Sequence, residues 1–304
     1  MIKSLLFLSP FVLLLFTNCT EEKPTKASTT NSEFTLPELP KKITFAGTEY
    51  NLNDLDIQEK LDRELLTNIY YQSATSQIIK RSKRYFPIIE KILKQENIPD
   101  DFKYLACIES ALIPQAESPV GAKGFWQFMP ETGTEYNLLV DDEIDERIDL
   151  SKSTKAACAY LHKAKDTLKD WLLAAASYNR GLGGVKRDME WQKSTNYFDT
   201  EMNIETGRYV YRMLAMKLIL EAPEKYGYNI SENQQYAPIK TKSILVTNSI
   251  ENIADWAIQK GANYKIIKKL NPWLLKNSLH VKKNKYTILF PAEGENLRPY
   301  SSHL

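Results

Sequence analysis

Histidine and cysteine are scarce in this chain. Its three histidines, His162, His280 and His303, are scattered, and with Cys19, Cys107 and Cys158 they form no Cys/His/Asp cluster at ligand spacing, so no metal site and no cofactor are expected. There is no nucleophile elbow and no phosphate-binding glycine loop, which removes two common routes to hydrolase and nucleotide chemistry. An excess of one charge is missing too. Forty Lys and Arg face 38 Asp and Glu, whereas a dedicated nucleic-acid binder carries a strongly basic footprint. Apolar runs of membrane-span length are also lacking. Leu5 to Phe16 is almost unbroken but too short to span.

That short run follows Met1-Ile2-Lys3 and precedes Thr17-Asn18-Cys19, the order of a signal peptide over residues 1–18. Cys19 after an apolar core resembles the lipobox of bacterial lipoproteins, although Phe16 and Asn18 stand where Leu and a small residue are usual. The resemblance implies lipidation of Cys19 and an exported chain anchored on the periplasmic face of a bacterial membrane. Residues 19–55 begin polar and rich in Ser, Thr and Lys, the composition of a disordered tether. A length of 304 residues leaves room for one sizeable domain and a smaller one.

From Ile57 onward the apolar positions recur at helical spacing: Leu61, Leu65, Ile69, then Ile78, Tyr85, Ile88, Ile89 and Ile92, with Pro87 a kink or a restart. Asp100 and Asp101 can cap a helix carrying Phe102, Leu105, Ile108 and Leu112, which stops before Pro114. Further helices are expected near Glu131, over Ser153–Leu168, over Trp171–Tyr178 with glycines 181, 183 and 184 as its stop, and over Thr206–Leu220. No alternating segment interrupts this stretch, so residues 56–226 read as a helical domain. Cys107 and Cys158 lie in helical patterns with apolar neighbours, as a pair or as buried thiols. Residues 227–240 read as a linker. Residues 241–292 read as strand, helix, helix, strand, and 293–304 as a tail.

Glu109 stands at the end of the run Phe102–Ser110. A carboxyl among apolar neighbours loses hydration of its charged form, so its pKa rises and it can hold a proton near neutrality. A general acid for glycosidic cleavage needs that property, although an acid near a helix end is more often simply solvated. A glycine-punctuated aromatic segment, Gly121-Ala-Lys-Gly-Phe-Trp-Gln-Phe-Met-Pro130, follows a short loop later. Its glycines suit tight turns or substrate approach, and Trp126 and Phe128 suit a core more than a sugar platform.

Glu109-Ser110, the segment Ser118–Pro130, Ser177-Tyr178-Asn179-Arg180-Gly181 and Glu205-Thr206-Gly207-Arg208-Tyr209-Val210 together resemble the soluble lytic transglycosylase family, in its membrane-bound murein transglycosylase D group. The resemblance covers roughly residues 57–226. It implies a mainly α, goose-lysozyme-like catalytic domain that cleaves the β-1,4 bond between N-acetylmuramic acid and N-acetylglucosamine in peptidoglycan. Glu109 would be the sole acid/base, with Ser118, Gln127, Tyr178, Asn179, Glu205 and Tyr209 contacting substrate in the glycan groove. The implied partners are peptidoglycan strands and, through the lipid, a membrane. Hydrolysis by paired carboxylates would need a second acid; Glu117 and Glu131 are candidates, and neither setting demands that role. A hydrolytic muramidase and a non-catalytic wall-binding lipoprotein remain the rival readings.

Between Thr241 and Ala292 nine lysines face two acids, a bias toward anionic or wall-associated surfaces. Ile253-Ala254, Leu270-Asn271-Pro272-Trp273-Leu274 and Ile288-Leu289-Phe290-Pro291 resemble a LysM peptidoglycan-binding module in a single copy. The usual Gly-Asp-Ser/Thr-Leu opening turn is replaced by Thr247-Asn248-Ser249-Ile250.

Overall fold

The computed structural model describes residues 36–281, 285–293 and 295. The signal segment, Cys19 and the first part of the tether lie outside the described residues. Among the described residues no helix is long and apolar enough to cross a membrane.

The tether expected to reach residue 55 ends earlier. Strands β1 (Lys42–Phe45) and β2 (Thr48–Asn51) pair antiparallel, Lys42 opposite Asn51 and Phe45 opposite Thr48. Ala46 and Gly47 link them with φ of 51° and 78°, and two left-handed residues make the tight turn that matches strand twist. Ile43 and Phe45 alternate with exposed neighbours and are buried. Phe45 meets the Phe102 ring edge-on at 5.4 Å, and the Ala46 amide donates to Asp101 at 2.6 Å. The polar composition upstream masks this short period-2 pattern.

Eight helices follow. In α1 (Leu55–Tyr70) Asp54 accepts from the Ile57 amide, and Ile57, Leu61, Leu65 and Ile69 form the buried stripe. The next, α2 (Gln72–Gln95), runs through Pro87 without a break, and α3 (Lys103–Ser110) follows a 3₁₀ turn at 100–102. Pro130 opens α4 (Pro130–Glu135). Asp149, Asp170 and Asn203 cap α5 (Leu150–Leu168), α6 (Trp171–Arg180) and α8 (Ile204–Glu221), each satisfying an amide that the helix itself leaves unpaired. Between the last two lies a helix that the glycines conceal, α7 (Leu182–Gln192). Gly181, at φ 77°, turns the chain after α6, and Leu182, Val185 and Met189 then face the core. Cys107 and Cys158 are buried and unpaired.

The segment expected as a linker packs back on the helices. Tyr226 and Tyr228 are buried. The Tyr228 hydroxyl donates to the Asn68 carbonyl at 2.6 Å, the Tyr236 amide to that of Lys80 at 3.0 Å, and Arg84 to that of Ala237 at 3.0 Å. Aromatic residues anchor what prolines and asparagines disguised as a loose connection.

The C-terminal module is a βααβ unit, as expected. Strands β3 (Thr241–Val246) and β4 (Tyr286–Pro291) pair antiparallel from Thr241 opposite Pro291 to Val246 opposite Tyr286. Helices α9 (Ile253–Gln259) and α10 (Tyr264–Leu270) lie between them, capped by Asn252 and Asn263. The buried Asn271 amide donates to the Ile267 and Leu289 carbonyls and accepts from the Leu289 amide. Ile144 and Ile148 of the helical domain enter the module's core beside Trp273 and Leu274. Backbone bonds seal the junction, from Asp145 to Trp273 at 3.0 Å and from Leu275 to Glu143 at 2.8 Å.

Candidate active site

Glu109 occupies the last turn of α3. Ala111 and Leu112 follow in left-handed conformation, φ 50° and 57°, and the Ala111 amide closes the helix on the Cys107 carbonyl at 2.8 Å. The helix therefore ends where Glu109 projects into an open cleft of about 460 Å³, lined also by Asn68, Glu117, Ser118, Gln127 and Arg212. Burial raises its pKa from 4.5 to about 7, against the Tyr209 hydrogen bond and the Arg212 charge, which lower it; Glu205 adds a smaller upward push. The apolar packing dominates because a carboxylate loses more hydration there than two partners restore.

Helix α8 supplies those partners from one face. Glu205, Tyr209 and Arg212 follow at helical spacing, and the Tyr209 hydroxyl donates to Glu109 Oε1. Tyr209 is itself buried, and its phenol is pushed far above the ordinary range by burial and by the Glu109 charge. It stays a neutral donor throughout the working pH range.

The opposite wall is the loop 116–128. Its amides close on themselves: Ser118 to the Ala122 carbonyl at 2.9 Å, Lys123 to that of Phe128 at 3.0 Å and Gly124 to that of Ala116 at 2.9 Å. Ser118 Oγ accepts from the Ala122 amide. Gln127, at φ 48°, donates its side-chain amide to the Ala116 and Gly124 carbonyls, so its Nε2 serves the loop while the residue lines the cleft. Gly124 has φ 86°, and a Cβ there would lie 1.9 Å from the Arg147 carbonyl oxygen. No other residue type fits this close approach. Trp126 and Phe128 are buried, and the Trp126 indole donates to Thr154 at 2.9 Å. They belong to the core.

Arg147 holds the loop from behind, a part that sequence reasoning missed. It is buried with Asp145, pairs with both its carboxylate oxygens at 2.9 and 2.8 Å, and donates to the Gly121 and Phe128 carbonyls. A fork of fixed donors suits such bridging. An Asp-Glu-Arg run in a loop is the only signal the sequence offers.

Tyr178 lies under the loop, donating to the Trp126 carbonyl at 3.0 Å, with its ring edge-on to Tyr160 at 5.1 Å and to Phe128 at 6.1 Å. Asn179 donates to Glu205 at 3.2 Å and accepts from the Thr206 hydroxyl at 2.7 Å. The fold thus brings the seven residues singled out in the sequence together from α3, the loop, α6 and α8. Ser118 and Gln127 share the cleft with Glu109, Tyr209 touches it, Tyr178 braces the loop, and Asn179 with Glu205 forms a linked pair. Glu117, exposed and paired with Lys123 at 2.9 Å, is the other carboxylate among the cleft-lining residues. Glu131 is not among them. Among the described residues no cluster of three metal-ligating side chains exists.

The fold and site define a helical domain with a carboxyl, Glu109, packed against apolar groups in a groove, followed by a small βααβ module. Residues 86–207 match the family described as Transglycosylase SLT domain, and residues 242–294 match the Soluble lytic transglycosylase C-terminal LysM-like domain. The chain is 28% identical over 247 residues to the membrane-bound lytic murein transglycosylase D of two Escherichia coli strains, covering 80% of this chain and 53% of theirs. The chain therefore spans about half the length of the curated relatives it matches. Among solved structures it is similar to the 70 kDa soluble lytic transglycosylase of Escherichia coli, with 18% identity and a TM-score of 0.43 over 59% of this chain and 33% of that one.

Proposed function

We propose that this protein is a lytic transglycosylase that cleaves the β-1,4 bond from N-acetylmuramic acid to N-acetylglucosamine in peptidoglycan, leaving 1,6-anhydromuramic ends, with Glu109 as the only acid/base. The observation that carries this reading is the state of Glu109 in its cleft. Its pKa of about 7 leaves a large protonated fraction near neutrality, the condition for a general acid. The Tyr209 bond to Oε1 leaves the second oxygen to present the proton.

Glu109 first protonates the glycosidic oxygen as the bond to the muramic C1 breaks, and the leaving N-acetylglucosamine departs as an alcohol. Its carboxylate then takes the proton from the same muramic residue's O6 hydroxyl, and O6 attacks C1. One proton is given and one regained, and water is not consumed. Intramolecular attack supplies an effective molarity on the order of 10⁵ M or more in well-oriented cases, which compensates for a missing second carboxylate. The pairing of Glu117 with Lys123 supports a single-acid reading.

Residues 56–226 act as the catalytic domain and residues 241–292 as a wall-associated LysM-like module. The chain is exported and held by lipid on Cys19 at the periplasmic face of a bacterial membrane, with peptidoglycan strands as its partner. The test is mass spectrometry of muropeptides released from purified peptidoglycan by protein lacking residues up to Cys19, with Glu109→Ala alongside. Anhydromuramyl products that vanish in the variant support the reading. Hydrated reducing ends would identify a lysozyme instead, and no products from either protein would favour a binding protein.

A further inference from the structure

Glu64, on α1, is a carboxylate with 1% of its side chain exposed, and three arginines surround it. Arg208 Nε reaches it at 2.7 Å and Arg63 Nε at 3.2 Å, enough to neutralise and hydrogen-bond a single buried acid. Arg212 is the surplus cation. Its Nε stands 3.6 Å from Glu64, beyond hydrogen-bond reach, and its guanidinium makes no hydrogen bond to any described residue. Thirty-six per cent of its side chain is open, on the wall of the cleft that holds Glu109. Glu64 therefore acts as a counterion that aims Arg212 without using up its donors.

We infer that Arg212 is a substrate-binding residue, an anchor that takes a carboxylate of the ligand in the Glu109 cleft. A planar fork of N–H donors matches a carboxylate in bidentate fashion. On the reading given under Proposed function, on which this rests, the substrate offers two such groups: the carboxylates of the stem peptide and, where the peptide is absent, the muramic lactyl carboxylate. Protonated Glu109 is uncharged and does not repel either. Glu117 is already engaged by Lys123 of the same loop. The residue lies outside the motifs that brought Glu109 and its neighbours together in the sequence, and only the crossing of α8 over α1 and α3 turns it inward.

The test is equilibrium binding of fluorescently labelled glycan strands to the full chain carrying Glu109→Gln, so that nothing is cleaved. Four strand preparations are compared: peptide-bearing strands, strands stripped of peptide, and each of these with its carboxylates converted to methylamides. Amidation is expected to weaken binding about tenfold, the worth of a charge-assisted bond. Arg212→Gln should lose the same factor on unmodified strands and nothing more on amidated ones, and Arg212→Lys, which keeps the charge but not the fork, should recover only part of the loss. A loss confined to peptide-bearing strands assigns the stem carboxylates, and a loss confined to stripped strands the lactyl group. Equal weakening of amidated and unmodified strands, no effect of Arg212→Gln, or no binding to any strand overturns the inference. Thermal unfolding controls for folding, because Glu64 keeps Arg63 and Arg208. If the strand dependence holds while no anhydro product is found, the anchor stands and the cleavage reading fails. If products form and amidation changes nothing, the reverse is true.

Discussion

The hydroxyl of Tyr209 donates to Oε1 of Glu109 across the contact between α8 and α3, joining residues 100 positions apart. One oxygen of the carboxyl is thereby fixed and the other is left to exchange a proton. The remaining groups of the site can be ordered by how they act on this pair.

Glu109→Gln keeps the shape and a hydrogen-bonding partner for Tyr209 but cannot cycle a proton. Turnover of peptidoglycan, followed as anhydromuramyl products, is expected to disappear while strand binding and circular dichroism stay unchanged. Residual activity above about one hundredth of the parent would count against a sole acid.

The pH dependence follows from a pKa raised to about 7. Glu109 must begin protonated, so the rate should be highest below neutrality and fall as pH rises through about 7. Stability carries the same sign. The folded state binds the proton more tightly than the unfolded chain, so stability is lost between about 4.5 and about 7 and is flat above. Glu109→Gln removes that loss and should stabilise the protein at pH 8 by on the order of 1 kcal/mol, discounted for the carboxyl's partial exposure to solvent. Chemical denaturation at pH 5 and pH 8 checks this; an equal effect at both values would refute it.

Tyr209→Phe removes the bond that lowers the Glu109 pKa. The alkaline limb of the rate profile should move upward, and kcat at pH 6 should fall about tenfold as the carboxyl loses its orientation. An unmoved limb would mean that the contact is structural only.

Gly124 and Gly121 form an internal control. Both have positive φ, but a Cβ at Gly124 would collide with the Arg147 carbonyl while one at Gly121 meets open space. Gly124→Ala is expected to cost about 3 kcal/mol or more and Gly121→Ala about 1 kcal/mol. Urea melts of the two variants separate steric collision from backbone strain.

Ile144 is buried in the module's core although it belongs to the helical domain. Ile144→Ala should cost about 2–4 kcal/mol. Because the junction is shared, unfolding should remain one transition; two separated transitions would show that the module folds independently.

Much of this protein is legible in one dimension because helices and caps are local. The stripe Leu61, Leu65, Ile69 and the capping residues Asp149 and Asp170 need only their neighbours, so the helical class and the βααβ order of the module follow from periodicity. Glu109 stands out in the sequence as an acid at the end of an apolar run, although its burial depends on the packing of α8 and the loop 116–128 around it. The hairpin at 42–51, with strands of four residues each, and α7 escaped, the first too short for its alternation to register and the second masked by Gly183 and Gly184. What the tertiary structure alone decided is every relation across the chain: Tyr209 on Glu109, Arg147 behind Gly124, Glu64 turning Arg212 toward the cleft, and Ile144 inside the C-terminal module. These pairs are distant in sequence, and the helix crossings that unite them come from packing a whole core, which no local pattern records.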